Sequence, residues 1–259
     1  LFVIGFGAKL GLLPFYEWFP GAYGSGSGAS GALFSGIILN AAFFGLMRVF
    51  ISWIPLSNAT FLLGIITGFI AVASAILATL YAFAQNDWRR LLSLSSAENA
   101  SIAVLLISAA LICKEQGAMN LAGMASVIAI IHMSAHCLAK GCMFLTADGY
   151  FLSQDTYNIK QTGFIKQAKF MAIGAVIASM SLCAIPPTSG YLSEWYAFQL
   201  FFHGFDLNSF VGRVVLAFFG TGLALSSAIA LAVFIKAFGI GLLGEPQKRI
   251  NKPILIRYK

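Results

Sequence analysis

Lys9, His132, His136, Lys140, Glu194 and Lys236 are titratable side chains set inside stretches otherwise apolar enough to cross a bilayer. A charge at the centre of a membrane helix costs roughly 2.5 to 3.5 kcal/mol, so such residues face a bundle interior and mark ion or proton paths. His132, His136 and Lys140 recur every four residues. At 3.6 residues per turn, successive members rotate by about 40° and stack about 6 Å apart, forming one polar stripe. Ile128, Ile130, Ile131, Met133, Leu138, Met143 and Phe144 run around it, so the stripe must point away from lipid. Histidine titrates near pH 6.5 and accepts on one ring nitrogen while donating on the other. Lysine gives up its proton when desolvated and holds it beside a carboxylate, so moving a partner charge loads and unloads it. One buried histidine alone would read as a core residue; three basic groups in register read as a proton relay.

The other candidates are more isolated. Lys9 lies mid-helix in IGFGAKLGLLPF among Gly5, Gly7 and Gly11, and Pro14 removes a backbone donor five residues on, a setting for a gating lysine. Lys236 stands late in the last apolar stretch, where snorkelling to the interface competes with a relay role. Glu194 follows Pro186, Pro187, Thr188, Ser189 and Gly190, a run that breaks a helix. Glu98 is expected to open a helix after Ser95 and Ser96, where a carboxylate complements the dipole, and is a second-tier candidate. Arg48, Arg89, Arg90 and Arg213 read as interfacial anchors.

Composition sets the scaffold. The chain is 59% hydrophobic and 10% charged, far below the roughly 25% charged content of soluble domains, and its mean hydropathy is +0.86. An all-α, polytopic membrane bundle follows. Seven spanning segments are predicted, at about 1–19, 30–53, 59–83, 97–113, 119–148, 168–204 and 213–243. Pro20–Gly28 (PGAYGSGSG) is expected to be a Gly/Ser loop, Pro55–Asn58 a tight turn and Asp155–Lys166 a polar connection. The whole of 1–259 reads as one transmembrane domain, with 244–259 as a basic cytoplasmic connection. Leu1 is not an initiator Met and no basic leader or cleavage site follows it, so missing upstream sequence is expected rather than a signal peptide.

Segment 168–204 is too long for one helix. If it crosses once, Arg89, Arg90, Lys160, Lys166, Lys169, Lys248, Arg249, Lys252, Arg257 and Lys259 share one side against Lys114 and Arg213, ten to two; crossing twice gives six against six. Positive charge in short loops prefers the cytoplasm. A single discontinuous helix is therefore expected, with the tail cytoplasmic. Broken helices survive at membrane depth only where freed backbone groups face protein or water, and in transporters they mark the pathway.

Other chemistries fare worse. The net charge of +7 sits in loops and the tail rather than on a basic face with interleaved aromatics, which argues against nucleic acid. Cys113, Cys137, Cys142 and Cys183 have no CxxC spacing and read as small apolar filler. A zinc site from His132, His136 and Cys137 lacks a nearby companion carboxylate on the same helix, and Cys137 points away from the stripe. Two haems in a cytochrome b generally need four histidines, and beyond the stripe the chain has only His203. Gly24–Gly31 lacks the Gly-Lys-Ser/Thr ending of a phosphate loop.

IGFGAKLGLLPFYEWFPGAY, DWRRLLSLSSAEN, HMSAHCLAKGCMFL, IPPTSGYLSEW and VFIKAFGIGLLG, in that order, resemble the antiporter-like proton-translocating membrane subunits of respiratory complex I and membrane-bound hydrogenases. The last two strings look most like the hydrogenase-4 component B or formate hydrogenlyase subunit 3 branch. The resemblance implies a bundle of about fourteen helices with two discontinuous ones, of which this chain would hold the seventh to the thirteenth. It implies that Lys9 is the central lysine of the first broken helix, that His132, His136 and Lys140 form the central relay, and that Glu194 is the outlet group of the second. It implies protons as the moved ion, or sodium in the Mrp-type antiporter components that share this ancestry. Partners would be other membrane and peripheral subunits of a hydrogenase or quinone-reductase complex in a prokaryotic plasma membrane. No flavin, iron–sulfur cluster or nickel is expected in this subunit, because no ligand cluster for them is present. Two departures stand out: Asn40 occupies a place where many relatives carry a lysine, and Tyr23 with GSGSGASG replaces a usual His and Pro. Asn40, the other second-tier candidate, can hold water but carries no charge.

Overall fold

Helix starts in this chain are set by short polar side chains that take otherwise free amides. A computed structural model describes residues 1–159 and 163–244; Lys160 and residues 245–259, nearly all of the expected basic connection, lie outside the described residues. Ser57 and Thr60 form a capping box that opens α4, Asn58–Ala84. The Asp87 carboxylate accepts the Arg89 and Arg90 amides and opens α5, Trp88–Glu115. Thr188 and Ser209 do the same for α8, Ser189–His203, and α9, Phe210–Gly241. The remaining helices are α1, Phe2–Leu10, α2, Trp18–Ser25, α3, Gly28–Trp53, α6, Met119–Gln154, and α7, Lys169–Leu182. Two π turns, Phe34–Ile38 and Val49–Trp53, interrupt α3.

Among the described residues α3, α4, α5, α6 and α9 are long and apolar enough to cross a membrane unbroken. The chain is a polytopic membrane protein. The other two crossings are broken helices. In the first, Gly11 ends α1 with a left-handed φ of 75°, the Trp18 indole donates to the freed Ala8 carbonyl at 2.9 Å, and Ser74 accepts the Leu13 amide at 2.9 Å. In the second, α7 stops at Leu182, and α8 begins at Ser189 with its Gly190 amide donating to Ser181 Oγ at 3.2 Å. Both breaks thus satisfy their backbone groups inside the protein, as membrane depth requires.

The second break is crossed once. The Ile165 amide, just before α7, donates to the Leu242 carbonyl, just after α9, at 3.2 Å. Those residues share one end of the bundle with Trp88, whose indole touches the Gly241 position. At the opposite end Lys114 Nζ donates to the Ile51 carbonyl at 2.8 Å. The single discontinuous helix expected from the charge balance is what the fold contains.

Two sequence expectations are corrected. Pro20–Gly28 is not a loop: α2 runs on to Ser25, because Phe19 and Tyr23 bury fully and stack at 5.4 Å against the interior. The loop shrinks to Gly26 and Ser27, and Asp148 of α6 accepts the Gly28 and Ala29 amides at 2.6 and 2.9 Å, capping α3 from a neighbouring helix. The segment predicted at 97–113 begins nine residues earlier, at Trp88, because Asp87 is the cap.

That longer α5 is the axis of the bundle, buried over the whole of its most apolar stretch. It packs chiefly between α4 and α6, with α2 alongside. Side chains on α6 facing away from it meet the surroundings instead: Leu138 is 76% exposed while Lys140, two residues on, is 0% exposed.

Candidate functional site

α5 brings a polar run, Ser93, Ser95, Ser96, Glu98, Asn99 and Ser101, into the interior of the bundle. Glu98 is 1% exposed and accepts from the Asn99 amide. It lies eleven positions inside α5, so the expectation that it opens a helix is wrong: the dipole at the α5 start belongs to Asp87. Glu98 shares the buried interior with Lys140 and Glu194, and a carboxylate kept at that depth is a candidate for function.

The α6 stripe turns toward the same interior. His132, His136 and Lys140 are all buried. Lys140 Nζ donates to the Leu92 carbonyl of α5 at 3.0 Å and lies 5.5 Å from the Phe234 ring centroid of α9. His132 Nδ1 is 3.0 Å from Ser193 Oγ of α8, and Ser193 Oγ donates to the Gly190 carbonyl at 2.8 Å. Ser193 therefore joins the His132 ring to the backbone of the second break, whichever ring nitrogen carries the proton. His136, between them, has neither ring nitrogen hydrogen-bonded to protein. Buried imidazole nitrogens are satisfied by water where protein offers nothing, so His136 marks a place for water in the middle of the stripe.

Glu194 follows on α8, one residue beyond Ser193, and accepts from Ser227 of α9 at 2.6 Å. Cys183, in the second break, is buried and its thiol lies 3.9 Å from the Ala230 carbonyl of α9. Four helices therefore converge: α5 supplies Glu98, α6 the two histidines and Lys140, α8 Ser193 and Glu194, α9 Ser227 and Phe234. Around this arrangement residues 1–224 match a known family model, NADH:quinone oxidoreductase/Mrp antiporter, transmembrane.

The chain belongs to the NADH:quinone oxidoreductase/Mrp antiporter transmembrane family.

Within this antiporter-like family it is 30% identical over 244 residues to Hydrogenase-4 component B of Escherichia coli (strain K12), covering 94% of this chain and 36% of that one. It is 29% identical over 250 residues to Formate hydrogenlyase subunit 3 of the same organism, covering 95% of this chain and 40% of that one. The chain thus spans about two fifths of the length of these curated relatives. Its fold matches a chain of the Mrp complex from Dietzia sp. DQ12-45-1b with a TM-score of 0.75 and 18% identity, over 97% of this chain and 43% of that one.

The remaining sequence candidates of this antiporter-like chain fall elsewhere. Lys9 is exposed on the outer side of α1, beside Leu1, Phe2, Gly5 and Phe6, and does not join the buried row. Lys236 donates to the Phe83 and Gln85 carbonyls at 2.7 and 2.9 Å, closing the C-terminal end of α4, and lies 5.4 Å from the Phe83 ring centroid. It acts there as a cap on free helix-end carbonyls. Asn40 is half-buried and donates to Gly36, whose carbonyl lies in the first π turn of α3, at 2.6 Å. Arg89 does more than anchor: it donates to the Gly26 carbonyl at 2.7 Å, pairs with Asp87 at 3.3 Å and stacks 3.7 Å from the Tyr157 ring centroid.

Sequence reasoning misplaced Glu98 and missed Ser193 and Ser227. The signal for Glu98 was Asp87: read as an N-cap, it puts the carboxylate three turns inside α5. Ser193 and Ser227 carry no local signal, since each gains its meaning from a partner on another helix.

Proposed function

We propose that the chain is a proton-translocating membrane subunit of a redox-driven complex of the hydrogenase-4/formate hydrogenlyase or NADH:quinone oxidoreductase type. One observation carries the reading: Glu98, His132, His136, Lys140 and Glu194, from three helices, are all buried, His132 reaches Ser193 beside Glu194, and neither ring nitrogen of His136 has a protein partner. Lys140 takes up and releases the proton, His136 and His132 pass it through intervening water, and Glu194 hands it to the outlet beside the second break. Glu98 supplies the counter-charge that holds Lys140 protonated until a neighbouring charge moves. Lys9, exposed on α1, takes no part in this row. In this reading the chain holds no redox group of its own; electron transfer in partner subunits moves the charges, and the complex sits in a prokaryotic plasma membrane with the tail in the cytoplasm.

The test uses everted vesicles containing the whole complex. Lys140→Ala is expected to collapse proton uptake while the subunit still assembles, and wild-type uptake in that variant overturns the proposal. A second reading, a component of an Mrp-type sodium/proton antiporter, draws on the fold match to the Mrp complex and on the family itself. Sodium-driven proton flux in vesicles without hydrogenase or quinone-reductase partners favours that reading; co-purification of such partners favours the first.

A further inference from the structure

Ser35 is the fully buried polar side chain of α3, and it sits in the first π turn of that helix. Its hydroxyl lies 2.8 Å from that of Ser96 on α5, which is also wholly buried. Ser96 Oγ donates to the Leu92 carbonyl at 2.8 Å. Lys140 Nζ donates to that same oxygen at 3.0 Å. Sharing that oxygen puts the Ser96 hydroxyl and Lys140 Nζ within two hydrogen-bond lengths of each other, a gap that one water or a changed Ser96 rotamer spans. Each hydroxyl of the pair can donate to or accept from the other, so a proton can pass between them in either direction. Asn40, the other polar candidate on α3, spends its amide on the Gly36 carbonyl and cannot titrate.

We propose that Ser35 and Ser96 form a hydroxyl link that feeds protons from the α3 side of the bundle onto Lys140. This rests on the relay reading above. In the feeding step Lys140 is neutral. Ser96 gives its hydroxyl proton to Lys140 Nζ and takes the proton of Ser35, while Ser35 takes one from a hydronium carried by water on the α3 side. One hydronium becomes water, one amine becomes ammonium, and both serines end neutral. The pair thus does between α3 and α6 what a titratable side chain on α3 would otherwise do, without placing a second buried positive charge near Lys140.

The experiment is initial proton uptake in everted vesicles holding the whole complex, normalised to assembled subunit. Ser35→Ala and Ser96→Ala are each expected to slow uptake by about tenfold or more, the range of a lost proton-transfer partner. Because the two hydroxyls act in series, the double variant is expected to be no slower than the slower single one. Ser134→Ala, on the outward face of α6, is expected to match wild type. Should Ser96→Ala fail to assemble, Ser96→Cys, similar in size and a weak donor, replaces it with the same expectation. Wild-type uptake in both alanine variants, with uptake lost in Lys140→Ala, overturns the link and leaves the relay standing. Losses that multiply in the double variant assign the serines to packing and also overturn it. Wild-type uptake in Lys140→Ala overturns the relay and the link together.

Discussion

His132 Nδ1 meets Ser193 Oγ at 3.0 Å, and this contact ties the stripe on α6 to the second broken helix one residue before Glu194. The same hydroxyl lies 2.8 Å from the Gly190 carbonyl, so it joins the ring to the backbone at the start of α8. A neutral histidine donates on one ring nitrogen and presents the other as an acceptor, the state that can receive a proton from water. Movement of α8 at its break would therefore be felt at His132 directly.

Ser193→Ala removes that partner and leaves a buried ring nitrogen unpaired, a loss on the order of 1 to 3 kcal/mol. Proton uptake in vesicles is expected to fall severalfold with assembly retained, and Ser193→Thr, which keeps the hydroxyl, should retain more of it. Equal uptake in Ser193→Ala and wild type would show that His132 needs no hydroxyl partner.

Glu98→Gln keeps the shape and the Asn99 contact but removes the charge from the interior shared with Lys140. Uptake should drop by about tenfold or more, with normal subunit content on a blot. If the variant translocates normally, Glu98 is a structural group.

Asp148→Ala strips the cap from the start of α3 and the acceptor from Tyr157. Losing a cap and a charged hydrogen bond costs about 1 to 3 kcal/mol. The purified complex should melt at a lower temperature, with Asp148→Asn intermediate between the two; an unchanged melting temperature refutes the capping role.

Tyr157, in the connection after α6, has its hydroxyl pKa pushed up to about 12, by burial first and then by the Asp148 hydrogen bond and charge. A phenol whose folded value lies above its unfolded value near 10 contributes stability that is complete below pH 10 and lost as pH rises through about 12. Tyr157→Phe should therefore be less stable than wild type at pH 8, and the gap should close between about pH 10 and 12. Thermal melts across that range check it, and a gap that stays constant rejects it.

Lys236→Met removes two hydrogen bonds to the end of α4. Stability should fall by roughly 1 kcal/mol while uptake per assembled complex stays at the wild-type level. Loss of uptake without loss of stability would return Lys236 to the relay.

Much of this site was legible before any coordinates. The i, i+4 spacing of His132, His136 and Lys140 put them on one face, and the apolar residues around them left that face only the interior; all three are buried, while Ile130 and Leu138 are exposed. The proline pair before Glu194 and the balance of basic residues gave one broken crossing, which the Ile165 to Leu242 contact reproduces. Lys9 and Lys236 were harder, because a lysine in an apolar stretch looks the same whether its arm turns inward, outward or along the helix to a neighbour's carbonyls. Only the α4 end beside Lys236, and the open side of α1 beside Lys9, separate those cases.

Taken alone, the order of residues determined that this is a helical membrane bundle, where two of its helices break, and which three basic groups of α6 share a face. Tertiary structure alone decided that Lys140 reaches the Leu92 carbonyl of α5, that Ser193 meets His132, and that Ser35 meets Ser96 across sixty-one positions of chain. The reason is physical. Periodicity reports the polar face of a single helix, whereas the face it meets depends on how neighbouring helices rotate to pack small residues and satisfy buried polar groups.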